Sequence, residues 1–188
     1  PSDPLKDRMA DQIDMLRAWD LRWSAQSIPT SLAMFWGQEI GGGGAIQRAT
    51  PQQLLQALAA ASDKLEADFG TWRIPWGDIN RFQRLNGDIV QPFNDDEPST
   101  PVPFASGRWG SLASFGARAY PQTKKWYGTS GNSFVAVVEF GDQVRARAVT
   151  AGGLNSDPAS PHFNDQTDRY STGNLRDVYY YRADLEGH

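Results

Sequence analysis

The sequence predicts an α+β chain with a helical first third followed by strands. Three observations carry this. Apolar residues recur at steps of three or four up to Gly70. Beyond it, eight of the twelve prolines gather and the apolar runs become short and turn-bounded. Two adjacent runs, 133–140 and 143–150, then have the length of paired strands.

Leu5, Met9, Ile13, Leu16, Trp19 and Trp23 form one apolar stripe, with Asp7, Asp11, Asp14 and Arg17 between them. Asp3 followed by Pro4 supplies an N-cap and a proline at the first helical position. Pro29 and the restricted residue before it, Ile28, are expected to stop this helix. Thr30 then caps a second apolar stretch through Ile40, which ends at Gly41-Gly42-Gly43-Gly44. A third helix begins with Thr50 as N-cap, Pro51 at N1 and Gln53 at the capping-box position. Leu54, Leu58, Ala61, Leu65 and Phe69 make its buried face, and Gly70 closes it.

The best strand is Ser133 to Phe140, turned by Gly141-Asp142 into Gln143 to Thr150. The second run alternates strictly and places Arg145 and Arg147 on one face. The first is apolar on both faces, so it is expected inside a sheet covered on both sides. A lone hairpin cannot cover it. The helices of residues 4–70 are expected to supply one layer. The organisation is then a helical segment, 1–70, and a turn-rich β segment, 71–188, with a hairpin at 133–150, both parts of one larger domain.

The 188 residues carry 22 acids against 18 bases, a net charge of −4. This balance, with no basic run, argues against nucleic acid or an anionic membrane as partner. No stretch has the roughly 20 apolar residues of a membrane helix. The absence of cysteine excludes disulfides, thiolate zinc sites and cysteine nucleophiles. A chain beginning Pro1-Ser2-Asp3-Pro4 without an initiator Met reads as processed or cut from something longer.

Each candidate for chemistry has a plainer reading. The run Gly41–Gly44 lacks the Gly-Lys-Ser/Thr ending of a phosphate loop and follows no strand, so it reads as a helix-to-helix link. Asn94-Asp95-Asp96-Glu97 lacks the spaced ligands and turn glycine of a calcium loop and reads as an acidic surface loop, with no metal. Ser160, His162, Asp165 and Asp168 suggest a Ser/His/Asp set. On an extended segment, however, Ser160 and His162 point to opposite faces, and His162 reads as a hydrogen-bonded structural histidine. The other histidine, His188, is terminal. Pro1 has a polar, turn-like setting, whereas an amine acting as a base needs a buried apolar one. Trp19 and Trp23 read as core. Trp72, Trp76, Trp109 and Trp126 fall in the turn-rich part, where they fill gaps between loops and sheet or stack on a sugar or acyl chain.

Three segments together resemble the penicillin acylase family. They are Trp76-Gly77-Asp78-Ile79-Asn80-Arg81, the strand Gly131-Asn132-Ser133 through Gly141, and Asp157-Pro158-Ala159-Ser160-Pro161-His162-Phe163-Asn164-Asp165-Gln166. Order and spacing agree from about residue 71 to 188, and the last segment is the most specific. The motifs are nearest the branch of acyl-homoserine lactone acylases. Gly153-Leu154-Asn155-Ser156 departs from the Gly-x-Ser that many relatives carry.

The resemblance implies an N-terminal-nucleophile amidohydrolase with an α/β/β/α sandwich, of which this chain is the C-terminal portion of the β subunit. It implies hydrolysis of a linear amide through a serine acyl-enzyme, no cofactor and a periplasmic location. The implied partners are the α subunit, the N-terminal part of the β subunit and an N-acylated small molecule. None of Ser2, Asn80 or Asn132 matches the context of the family's nucleophile or oxyanion asparagine. No catalytic residue is therefore assigned to this chain, no substrate-binding residue is identified, and the isolated piece is expected to be inactive and to self-associate. The alternative is a non-catalytic α+β module that holds a carbohydrate or acyl chain on exposed Trp109, Trp126 and Tyr127. A purely structural domain is the third reading.

Overall fold

The computed structural model describes residues 3–186, so Pro1, Ser2 and His188 lie outside the described residues. The chain opens with α1 (Pro4–Arg8) and α2 (Ala10–Ala18). Asp3 caps α1, its side chain accepting from the Leu5 N–H at 2.9 Å. The expected single helix is thus broken at Met9 and ends well before Pro29. Its last part unwinds because polar side chains offer the backbone local partners. Asp20 accepts from the Arg22 N–H at 3.0 Å and Ser24 Oγ from the Gln26 N–H at 3.1 Å. Between them Leu21 takes a positive φ of 61°. Trp19 and Trp23 leave the helix stripe and meet edge to face, 6.4 Å apart.

Pro29 does not stop a helix; it sits in the first turn of α3 (Ile28–Ile40). Ser27 rather than Thr30 is the N-cap, accepting from the Thr30 N–H at 3.2 Å. Thr30 itself is buried, its hydroxyl donating to Ser27 Oγ. Gly41 closes α3 with φ 90°, and the glycine run leads into the short α4 (Gly43–Ile46). Helix α5 (Pro51–Phe69) carries the expected capping box: Thr50 Oγ1 accepts from the Gln53 N–H, and Gln53 Oε1 accepts from the Thr50 N–H. Leu58, Ala61 and Leu65 bury its inner face against α3.

The strands form two sheets. A four-stranded sheet has the order β2 (Thr100–Pro101), β1 (Asn80–Phe82), β4 (Trp126–Gly131), β3 (Phe115–Arg118). Within it β1 runs parallel to β4, and the remaining pairs are antiparallel. The helices pack on this sheet. Phe35 of α3 stacks on Trp126 of β4 at 4.8 Å, and Trp126 meets Trp76 edge to face at 5.6 Å. Trp76 belongs to a single turn, α6 (Trp76–Ile79), that runs straight into β1.

The second sheet is antiparallel, in the order β5 (Phe134–Glu139), β6 (Arg145–Thr150), β7 (Arg176–Val178). Val135 and Val149 face each other across it and join a small core with Val102, Phe115 and Tyr170. That core links the sheets, helped by α7 (Thr167–Thr172), whose Ser171 hydroxyl donates to the Pro101 carbonyl. A last short helix, α8 (Arg182–Leu185), follows β7.

The covered position expected for β5 is not what the fold provides. β5 is an edge strand bonded to β6, and Phe134, Val137 and Val138 are 59%, 59% and 45% exposed. The physical reason is the set of large rings at Trp76 and Trp126, which draws the helical layer onto the other sheet. Register puts Phe134, Ala136 and Val138 on one face with Ala146, Ala148 and Val178. Among the described residues, none of the helical core packs on this apolar face.

Candidate functional site

The motif Trp76–Arg81 builds a junction. Gly77 donates its N–H to the Ala25 carbonyl at 2.7 Å. A Cβ there would stand 2.8 Å from Ala25 Cβ and 2.9 Å from Pro101 Cβ, so only glycine lets the three segments meet. Asn80, 1% exposed, donates from Nδ2 to the Val102 and Phe104 carbonyls at 2.7 and 2.8 Å. Its amide completes the backbone pairing of the strand beyond β2. Arg81 donates to Ser99 Oγ, the Ser99 carbonyl and the Gly77 carbonyl. Burial lowers the Arg81 guanidinium from its ordinary value, against Asp78 and Tyr127, which raise it.

The acidic loop is tied down by its own carboxylate. Asp95 Oδ2 accepts from the Lys124 N–H at 2.7 Å, and Oδ1 accepts from the Tyr127 hydroxyl at 3.0 Å. Lys125 Nζ donates to the Asp95 carbonyl at 2.8 Å. Gln83 reaches into the same loop, donating to the Asn94 carbonyl and accepting from the Asn94 N–H. Burial, and then the hydrogen bond and charge of Asp95, push the Tyr127 hydroxyl well above its ordinary value. Among the described residues no group of three or more His, Asp and Glu gathers where it could hold a metal ion.

The segment Ser160–Gln166 is a clasp built of turns rather than an extended strand. The Ser160 hydroxyl accepts from the His162 backbone N–H at 3.2 Å, an internal turn bond. His162 Nδ1 lies 2.9 Å from Asp165 Oδ2, on a side chain 68% exposed. So His162 and Asp165 do pair, three residues apart, while the Ser160 hydroxyl is held by backbone. Asp168 lies in α7, with no bond to His162. The clasp closes on Gly152-Gly153. A Cβ on Gly153 would fall 2.0 Å from the His162 carbonyl oxygen. Gln166 donates its backbone N–H to the Gly152 carbonyl at 2.8 Å and accepts from the Thr150 N–H at 3.1 Å. Asn132 and Ser133 act similarly on the β5 side of the same open end of the hairpin. Asn132 Oδ1 accepts from the Ser114 N–H, and the Ser133 carbonyl accepts from the Ala151 N–H at 2.9 Å.

The aromatic platform expected of Trp109, Trp126 and Tyr127 does not form. Trp126 is 5% exposed and Tyr127 is fully buried, its ring stacked on Phe93 at 5.0 Å. Trp72 is half-buried under the Arg73 guanidinium, 4.2 Å from the ring. Two clefts stand out. One, of about 650 Å³, lies on the β5–β7 sheet, where Arg147 pairs with Asp177 at 2.9 Å and Tyr181 accepts from the Val144 N–H. The other, of about 580 Å³, lies between α3 and strands β3 and β4, lined by Trp76, Trp109 and Trp126 with Arg108 and Arg118. Sequence reading grouped these tryptophans, but nothing in their spacing pointed to the two arginines.

The result is an α+β unit whose three motifs each brace a strand junction through hydrogen bonds to backbone. The penicillin amidase family model matches residues 3–187, and the chain belongs to that family. A curated relative, the acyl-homoserine lactone acylase PvdQ of Pseudomonas fluorescens, is 38% identical over 113 residues. That match covers 58% of this chain and 13% of the relative.

Proposed function

We propose that this chain is the C-terminal part of the β subunit of a penicillin acylase-type amidohydrolase, acting on N-acylated small molecules in the periplasm. In that enzyme a serine at the new N-terminus left by self-cleavage attacks the amide carbonyl through Oγ, and its own α-amine takes the hydroxyl proton. The C–N bond breaks, the amine leaves with that proton, and an acyl-enzyme remains. Water then releases the acid and restores the serine. An oxyanion hole stabilises both tetrahedral intermediates. Serine, hole and acyl pocket lie outside this chain, whose strands and helices continue an α/β/β/α sandwich as parts of one larger domain. The naming of the PvdQ relative favours an acyl-homoserine lactone as substrate class.

The observation that carries the scaffold role is the β5–β7 sheet. Phe134, Val138 and Val178 lie on one face, 45–59% exposed, and β5 offers a free edge beside them. Edges and faces of this kind are covered in finished folds. The remainder of the acylase, laid on this face and paired along β5, supplies that cover.

The test is reconstitution. The upstream part of the enzyme, expressed separately, is mixed with this chain and assayed on an N-acyl-homoserine lactone. Activity from the mixture and none from either part supports the assignment; activity of the upstream part alone, unchanged by this chain, removes it.

A further inference from the structure

The cleft between α3 and strands β3 and β4 has features that the scaffold role does not use. Trp109 closes one side of it, packed so tightly on α3 that a Cβ on Gly37 would lie 2.7 Å from its ring. Trp76 and Trp126 line it from the core. The Trp76 Nε1–H is buried and has no hydrogen-bond partner, on a residue 1% exposed. A buried donor left unpaired costs about 1–3 kcal/mol, and native folds rarely leave one without reason.

The charge is equally one-sided. Arg108 and Arg118 both line the cleft, and among the described residues no carboxylate does. Each guanidinium is held by an aromatic ring, Arg108 at 4.9 Å from Trp109 and Arg118 at 4.8 Å from Tyr120. Neither makes an ion pair among the described residues. In a chain of net charge −4, two oriented, unpaired arginines beside an acid-free aromatic cleft form a local positive site. Planar guanidinium groups recognise carboxylates through paired donors. Tryptophan walls take an apolar or aromatic body.

We propose that this cleft binds a small organic carboxylate carried on an apolar or aromatic body. The carboxylate sits at Arg108 and Arg118, and the body lies against Trp109. Binding is then charge-dependent and is felt at the tryptophans.

The test is an NMR titration of the ¹⁵N-labelled chain with 3-phenylpropionate, followed at the indole N–H resonances, with 3-phenylpropanol as the neutral counterpart. Trp109→Phe and Trp76→Phe assign the two signals. The expected result is a saturable shift of the Trp76 and Trp109 signals with the acid in the millimolar range, about tenfold weaker for the alcohol. Arg118→Gln and Arg108→Gln, both exposed positions, are each expected to weaken the acid about tenfold while leaving the free indole spectrum unchanged. Shifts that stay linear, equal binding of acid and alcohol, or arginine variants that bind like the parent would each overturn the proposal.

Discussion

The Arg84 guanidinium lies 4.1 Å from the centre of the Phe163 ring and donates from Nη1 to the Phe163 carbonyl at 2.8 Å. The contact is returned, because Asn164 Nδ2 donates to the Arg84 carbonyl at 3.0 Å. Two segments 79 residues apart are locked by a pair of reciprocal side-chain-to-backbone bonds and one ring stack. Arg84→Ala removes the stack and the bond, and is expected to lower stability by about 1–3 kcal/mol in urea unfolding. Arg84→Lys keeps the charge but not the planar fork, so it should recover less than half of the loss.

Gly153 and His162 separate the two readings of the same motif. Gly153→Ala places a Cβ against the His162 carbonyl oxygen at 2.0 Å. Backbone must move to admit it, at an expected cost of about 3 kcal/mol or more. His162→Ala removes an exposed ring and its pair with Asp165, and should cost less than about 1 kcal/mol. Thermal unfolding of the two variants checks this; a His162 variant as damaged as the glycine variant would give the ring a larger part.

Tyr170 and Tyr127 should respond oppositely to loss of the hydroxyl. The Tyr170 hydroxyl is buried without a partner, and burial pushes its pKa up to about 12. An unfolded tyrosine titrates near 10, so between those values the unfolded state gives up a proton that the folded state keeps. Stability is therefore intact below about pH 10 and falls as pH rises toward 12. Tyr170→Phe should leave neutral-pH stability unchanged or raise it by about 1 kcal/mol, and remove that part of the alkaline loss. Tyr127→Phe breaks bonds to Asp95 and the Asn94 carbonyl and should cost about 1–3 kcal/mol at pH 7. Denaturation curves at pH 7 and pH 11 check both variants.

The bare face of the second sheet should make the isolated chain associate with itself. Light scattering is expected to give a mass above the 20.8 kDa monomer. Phe134→Glu with Val138→Glu should return it toward that value by charging the face. A monodisperse parent monomer would count against the face as a contact surface.

The capping box of α5 and the β5–β6 hairpin were readable because their signals are local: a cap pattern, an alternating run, a turn. The break at Met9 and the unwound stretch from Trp19 to Ser27 were not, because Asp20 and Ser24 win backbone bonds that an apolar stripe does not reveal. Which sheet the helices cover was also hidden. It depends on Phe35 meeting Trp126, 91 positions away, and periodicity carries no such information. Of the candidate site, the residue types in the motifs identified a family, while their work as junction and clasp appeared only with the hydrogen bonds. The Arg108–Arg118 cleft is a product of tertiary packing alone.

In the proposed role this chain gives an acylase its scaffold and not its nucleophile. Assay of the purified 188-residue chain on an N-acyl-homoserine lactone and on a phenylacetyl amide, with release of free amine as readout, tests it most directly. The predicted result is amine release no faster than in buffer; steady turnover that scales with the concentration of this chain would contradict it.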